Sequence, residues 1–337
     1  MTLPVKILKL LKLLFALFIL CTIVLMFLAY SMVMPQGTGA PVLFQVSPGE
    51  SAAEISRNLA HERIIGNALS FRLLLRLARA EDRIKAGTYE LTPAMNSLAI
   101  LKMLVNGQVK ERSFTAPEGA SVEDIAVLLE STHVMTAEEF RTALKEQGSF
   151  QVGSLTIGNP EGFLFPDTYQ VPCGIKPDFL IEKMLQRFEE QILPLYQASA
   201  LSAQFSLPEL VTMASLVERE ARLDHERPLI AAVYYNRLRK GMLLQCDATV
   251  QYALGRTKPV LSFDDLEIES PYNTYLHQGL PPGPICNPGI KSFKAACSPG
   301  DVPSLYYVVD EVKGDGSHVF STTFHDHQEA LHRYRKD

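Results

Sequence analysis

The chain has 337 residues, 47% of them hydrophobic, and a formal net charge of −5, which is enough for two modest domains with a packed core. Its only basic residues before position 35 are Lys6, Lys9 and Lys12, and no acid lies there, so residues 35–337 carry 29 basic and 37 acidic side chains, a net −8. So acidic a body argues against nucleic acid as a partner.

The stretch Leu13–Met34 holds no charged residue. About 20 apolar residues span ~30 Å as a helix, the thickness of a bilayer core. Residues 1–12 then read as a cytoplasmic tail and 13–34 as a single transmembrane helix, since flanking lysines stay in the cytoplasm. A cleaved signal peptide fits less well, because the run is long and lacks a clear small-x-small site. The expected location is the cytoplasmic (inner) membrane, single-pass, with the C-terminal body outside. Residues 35–41, from Pro35 to Pro41, read as a flexible spacer.

Val42–Val46 reads as a strand and Ser51 to Arg63 as a helix with Ala52, Ile55 and Leu59 on one face. Asn67 caps a second helix through Leu77. Gly87–Leu91 is a strand, Pro93–Val105 a helix closed by Asn106-Gly107, and Val109–Thr115 another strand. Phe44–Ile55 has a weak echo in Phe114–Ile125, each read as strand, turn and capped helix. Ser121 and Asp124 have capping-box spacing. The strand–helix–helix–strand order of residues 42–115 resembles a LysM glycan-binding module. A small αβ spacer without a ligand fits that order as well.

Thr136–Gln147 reads as a capped helix with Glu139 at its third position, and Gly148–Gly158 as loop. Glu161-Gly162-Phe163-Leu164-Phe165-Pro166-Asp167-Thr168-Tyr169 packs acids, aromatics and turn residues densely. It reads either as a buried turn or as a cleft wall offering Glu161 and Tyr169 to a sugar. Asp178–Ala200 is a long amphipathic helix interrupted by Pro194.

Ser206 caps the next helix and Pro208 suits its first turn. Leu210–Val217 is uncharged and apolar nearly all round, the mark of a buried helix. Two carboxylates, Glu218 and Glu220, end it. Glu218 lies over the small residues Ala214 and Ser215, leaving space for a cleft, and Glu220 over larger apolar ones. A carboxyl on an apolar wall is held protonated to higher pH and suits general acid catalysis. Pairing with Arg219, Arg222 or Arg227 is the plainer reading of both, and helical geometry alone does not choose between them.

Arg227/Pro228 opens a helix running to Lys240. Asp247 is a plausible N-cap for the following one. Ser270–Tyr275 and Gly279–Gly289 form a long loop rich in proline and glycine, which rigidity and its Tyr, Asn and Thr content suit to gripping hydroxyls. Leu305–Asp310 and His318–Thr322 read as a hairpin and Asp326–Arg335 as a closing helix. His318, His325, His327 and His332 lack a metal-ligand spacing and read as packing or surface residues, so neither metal nor cofactor is expected. Of the cysteines outside the apolar run, Cys173, Cys246, Cys286 and Cys297, none forms a Cys-x-x-Cys pair, and three complete disulfide pairings are open.

Taken in order, Ala214-Ser215-Leu216-Val217-Glu218-Arg219-Glu220, Asn236-Arg237-Leu238, Leu244-Gln245-x-Asp247, Tyr272-Asn273-Thr274-Tyr275 and Gly279-Leu280-Pro281-Pro282-Gly283-Pro284-Ile285 resemble the MltG/YceG-like endolytic murein transglycosylases. Glu161-Gly162 with Phe165–Tyr169 matches too, and the resemblance covers essentially the whole chain. It implies an α+β protein: one transmembrane helix, a LysM-like subdomain at 42–115 and a mixed α+β catalytic domain at 116–337. It also implies a membrane-anchored enzyme that cuts nascent peptidoglycan glycan strands, with peptidoglycan synthases as candidate partners and Glu218 at the position of the catalytic acid. Gln245, Asp247, Tyr272, Asn273 and Tyr275, with Glu161 and Tyr169, are the expected sugar-positioning residues. Cys246 and Cys286 fall in two motif loops expected to border the cleft, and a disulfide between them is expected there.

One glutamate suffices for such a lyase. The C6 hydroxyl of N-acetylmuramic acid attacks its own anomeric carbon, leaving a 1,6-anhydro end and using no water. A muramidase-type hydrolase would need a second carboxylate, from Glu161, Asp167 or Asp247. A non-enzymatic glycan-binding scaffold would need none.

Overall fold

In the computed structural model residues 5–35 and 37–335 are described, with the backbone alone at 5–11, 25, 28 and 31–33. The chain divides into two compact units, residues 1–112 with 170–174, and residues 113–169 with 175–337. Among the described residues it is mixed α+β, with four two-stranded sheets.

The first unit holds α1 (Val5–Val33), β1 (Val42–Val46), α2 (Ala52–His61), α3 (Ala68–Leu77), β2 (Gly87–Leu91), α4 (Ser97–Asn106) and the start of β3 (Glu111–Thr115). Strands β1 and β2 pair antiparallel, Val42 opposite Leu91 and Val46 opposite Gly87. The starts of α2, α3 and α4 each have a local cause. Ser51 and Glu54 form a capping box, Asn67 accepts from the N–H groups of Leu69 and Ser70, and Asn96 accepts from that of Ala99. Asn96 therefore starts α4 later than the expected Pro93. Gly107 closes it at φ 71°. Phe44, Val46, Ile55, Leu59, Phe71, Leu75, Tyr89 and Leu104 make the core.

Helix α1 begins inside the stretch read as a cytoplasmic tail. Its described apolar side chains, such as Leu13, Phe18, Ile23 and Phe27, are exposed. Over the described residues no helix is long and apolar enough to cross a membrane. Residues 1–4, the side chains of Lys6 and Lys9, and Gln36 of the spacer lie outside the described residues.

The second unit continues with α5 (Val122–Ser131), α6 (Ala137–Gln147), β4 (Phe150–Val152), β5 (Leu155–Ile157), the first two residues of β6 (Thr168–Pro172), α7 (Pro177–Ala198), α8 (Leu207–Glu220), α9 (Arg227–Arg239), α10 (Asp247–Leu254), α11 (Phe263–Leu266), α12 (Ile290–Cys297), β7 (Tyr306–Val309), β8 (His318–Ser321) and α13 (Phe324–Tyr334). The capping boxes Ser121/Asp124 and Thr136/Glu139 are formed as expected. Three expectations are corrected. Residues 150–157 are a hairpin instead of loop: Gly153 turns at φ 57°, and Phe150, Val152 and Ile157 bury their side chains. Pro194 sits within α7 without ending it. Cys246, not Asp247, is the N-cap of α10, and Asp247 is its first residue.

Candidate active site

Helix α8 is the scaffold. The Ser206 N–H and hydroxyl both donate to Glu209, at 2.7 and 2.6 Å, and fix its start. Leu210–Val217 is buried throughout, as the uncharged run predicts. The face carrying Ala214 and Ser215 is not an open cleft. The 284–286 loop closes on it: Ile285 donates its N–H to Ser215 Oγ at 3.1 Å, and the Cys286 thiol reaches Ser215 O at 3.5 Å. Gly162 packs here too, and a Cβ on it would lie 2.5 Å from Pro284 Cβ and 2.8 Å from Val211 Cγ1.

Glu218 emerges where this packing ends. Arg227 Nη1 donates to its Oε1 at 3.1 Å, and the Gly289 N–H donates to its Oε2 at 2.9 Å. The two side chains are 9% and 7% exposed for Arg227 and Glu218. Arg227 is itself fixed by Asp224 at 3.2 Å and by the Ser292 hydroxyl. Glu218 therefore meets a guanidinium and a backbone donor in place of an apolar wall. The arginine pairing weighed in the sequence is real, and it involves Glu218.

Glu220 is the carboxyl on the apolar side. It accepts from the Cys246 thiol at 3.3 Å and the Tyr307 hydroxyl at 3.0 Å. Burial pushes its carboxyl up from the ordinary range. Each of its two oxygens is thus occupied by a side-chain donor.

The residues expected to hold a sugar fall into three groups. Gln245, Asp247 and Tyr275 come together at the surface: the Tyr275 hydroxyl donates to Asp247 Oδ1 at 2.5 Å, and Gln245 holds φ 50° while its N–H donates to Thr274 O. Glu161, with Tyr252, lines a cavity of about 450 Å³ whose wall also includes Asn159, Arg219, Gln251, Arg256 and Ile285. Glu161 accepts from the Val122 N–H at 3.1 and 3.2 Å and from the Tyr252 hydroxyl at 3.4 Å, and Tyr252 packs on Tyr272 with centroids 4.9 Å apart. Burial pushes Glu161 up to about 7 despite these donors.

Tyr169 and Asn273 form the third group, and both are corrections. Tyr169 is buried, donates its hydroxyl to Phe165 O at 2.5 Å and stacks on Phe114. Asn273 is fully buried; its amide donates to Leu266 O and Ile268 O and accepts from the Tyr275 N–H. Each is buried and spends its donors on nearby main-chain carbonyls. The expected Cys246–Cys286 disulfide is likewise absent, and both thiols are free. Cys246 meets the Glu220 side chain and Cys286 the main-chain carbonyl of Ser215. Asp167, a possible second carboxylate on paper, is tied to Arg187 at 2.8 Å.

Sequence reasoning missed Glu118. A Cβ on Gly289 would meet its Oε1 at 2.0 Å, so the carboxyl lies over Gly289, whose N–H is bound to Glu218. No spacing signal links two residues a hundred positions apart.

The YceG-like family model matches residues 44–333. The chain belongs to the YceG-like family. Among its relatives, a Bacillus subtilis (strain 168) protein described as an endolytic murein transglycosylase is 33% identical over 87% of this chain and 84% of its own length. A Streptococcus pneumoniae (serotype 2, strain D39) protein of the same description is 29% identical over 85% of this chain, which spans 57% of that relative. The crystal structure of a yceG-like protein, lmo1499, from Listeria monocytogenes superposes with a TM-score of 0.56 at 31% identity, covering 86% of this chain and 98% of that one. This YceG-like fold carries Glu218, its arginine and the Gly289 donor on α8, α9 and the N-terminus of α12.

Proposed function

We propose that this YceG-like protein is a peptidoglycan lytic transglycosylase that cuts nascent glycan strands internally at MurNAc–GlcNAc bonds and leaves 1,6-anhydroMurNAc ends. The observation that carries the reading is the Glu218 carboxyl, with one donor fixed on each oxygen. Relatives described as endolytic murein transglycosylases support the substrate class.

Glu218, protonated, gives its proton to the glycosidic oxygen as the bond from C1 of MurNAc to that oxygen breaks. The C6 hydroxyl of the same sugar then bonds to C1, and its proton passes to Glu218, which restores the acid without water or cofactor. Arg227 and the Gly289 N–H steady the carboxylate between the two transfers. Gln245, Asp247 and Tyr275 at the surface, and Glu161 and Tyr272 beside the cavity, are the proposed contacts to neighbouring sugars.

The apolar run in α1 is proposed as the anchor in the cytoplasmic membrane, with the rest of the chain outside and peptidoglycan synthases as candidate neighbours. In the first unit, the antiparallel β1–β2 pair enclosing α2 and α3 supports a LysM-like reading of residues 42–115. Its open groove beside Gln45, Glu50 and Asn58 is the proposed place for glycan.

A muramidase-type hydrolase is the second reading, favoured by the second carboxyl, Glu118, beside Glu218. Mass spectrometry of the products separates the two. Anhydro ends made by the wild type and not by Glu218→Gln establish the lyase, reducing ends the hydrolase. Glycan binding without cleavage would leave a scaffold.

A further inference from the structure

Glu218 and Arg227 meet because the chain between them turns back on itself. Helix α8 ends at Glu220, a short 3₁₀ turn covers Asp224–Glu226, and α9 opens at Arg227. Two carboxyls that the glycan chemistry leaves unused, Glu220 and Glu226, stand at the two ends of this connection. Both are held by the β7–β8 hairpin, which lies about 90 residues further along the chain.

At the far end, the His318 N–H donates to Glu226 Oε1 at 2.9 Å, and His318 Nδ1 lies 2.7 Å from Glu226 Oε2. The two side chains are 3% and 5% exposed for His318 and Glu226. At the near end, the Tyr307 hydroxyl donates to Glu220 Oε2 at 3.0 Å. Tyr307 and His318 meet edge to face, with ring centroids 5.3 Å apart, so the two grips are joined inside the hairpin. Between them the connection lies close against the hairpin turn, since a Cβ on Gly316 would sit 3.0 Å from Arg222 Cδ.

The hairpin is in turn braced on α9. Arg237 Nε donates to Leu305 O at 2.7 Å, and the Asn236 amide donates to Ser304 O at 2.9 Å. These carbonyls lie just before β7, so the Asn236-Arg237 motif fixes where the hairpin begins.

Buried carboxyls are costly unless their oxygens are met, and a pair closed off from water adds little net stability. What this pair supplies is geometry. Glu226 directly precedes Arg227, so the contacts that fix Glu226 fix the backbone from which the arginine grows. From there Arg227 Nη1 reaches Glu218 Oε1 at 3.1 Å. Asp224 and Ser292 orient the guanidinium, but Asp224 is more than half exposed and neither holds the Arg227 backbone.

We infer that His318 and Glu226 are positioning residues of this active site, through which the C-terminal hairpin holds the start of α9 and sets Arg227 against the Glu218 carboxyl. Both act through Arg227, away from the glycan and the reacting atoms. A shift of α9 would leave substrate binding in place and spoil the support of Glu218 during the two proton transfers.

The inference rests on Glu218 as the acid, and the two fail separately. Full-length protein is assayed on purified glycan strands, below the unfolding transition of each variant. His318→Leu removes the ring contact and leaves the main-chain bond. Its kcat should fall by about 10-fold to 100-fold with KM little changed, because a displacement of about 1 Å far from the chemistry is felt on that scale. His318→Asn, whose amide can stand in for Nδ1, should restore most of that loss. On an Arg227→Met background, His318→Leu should cost little further in kcat, because the guanidinium it places is gone. If His318→Leu does not fold, Glu226→Asp carries the test: it keeps the charge, draws the carboxylate back by one methylene, and should lower kcat at unchanged KM. An unchanged kcat in either folded variant, an asparagine that does no better than leucine, or losses that multiply on Arg227→Met overturn the inference. Activity that survives Glu218→Gln overturns the functional reading instead.

Discussion

Arg227 Nη1 lies 3.1 Å from Glu218 Oε1, and both side chains are at least nine-tenths covered. A buried pair of this kind adds little net stability, because both charges have left water, but losing one partner strands the other. Arg227→Met should therefore destabilise the protein by about 3 kcal/mol in urea unfolding. Adding Glu218→Gln should recover part of that loss, because the stranded charge is gone. Additive losses in the double variant would mean that the pair is not coupled.

Glu218→Gln on its own keeps the shape and one acceptor oxygen for Arg227 or the Gly289 N–H, but has no proton to give. Glycan cleavage should fall by about 100-fold to 10,000-fold, the usual contribution of a positioned general acid. Thermal unfolding should fall somewhat, because Arg227 loses a buried carboxylate while keeping Asp224 and Ser292 as partners. Activity within a few-fold of wild type would remove Glu218 from the chemistry.

Glu161 gives a pH dependence of stability. Its carboxyl moves from the ordinary value of 4.5 to about 7 in the folded protein, through burial. Between these values the folded state binds the proton and the unfolded state releases it. Stability is therefore highest below about pH 4.5 as far as this group is concerned, and falls as pH rises toward 7, by up to about 3 kcal/mol. Glu161→Gln should flatten that slope in urea unfolding at pH 5 and pH 7. An unchanged slope would place the proton elsewhere.

Gly162 turns at φ 85° with Pro284 and Val211 against its open side. Gly162→Ala adds strain and overpacking together, and should cost about 1–3 kcal/mol in unfolding. Because Pro284 belongs to the loop that closes on Ser215, activity should fall with it. A neutral Gly162→Ala would show that this loop yields easily.

Cys246 and Cys286 are buried free thiols, and burial pushes both up from the ordinary thiol range. Both should resist alkylation in the folded protein and react fully once it is unfolded without reductant. A pair protected after unfolding would restore the disulfide that the motif loops suggested.

What the sequence determined by itself is what neighbouring residues settle among themselves. Ser51 with Glu54, Ser121 with Asp124, Thr136 with Glu139 and Ser206 with Glu209 each set a helix start, because a cap acts within one turn. The uncharged run of α8 marked a buried helix with two acids at its end, and the ordered motifs carried the family. The short hairpin at 150–157 stayed hidden, since three-residue strands leave too little alternation to read. Tertiary structure alone decided which way each polar side chain faces. Tyr169 and Asn273 have the composition of a sugar site, yet nearby carbonyl groups take their donors. Glu218 and Glu220 sit two residues apart, about 200° around the helix, so one meets Arg227 and the other Tyr307. The Glu118 carboxyl reaches Gly289 only because the turn at 119–120 bonds to Asn287. Such closures join residues far apart in the chain, and no local spacing records them.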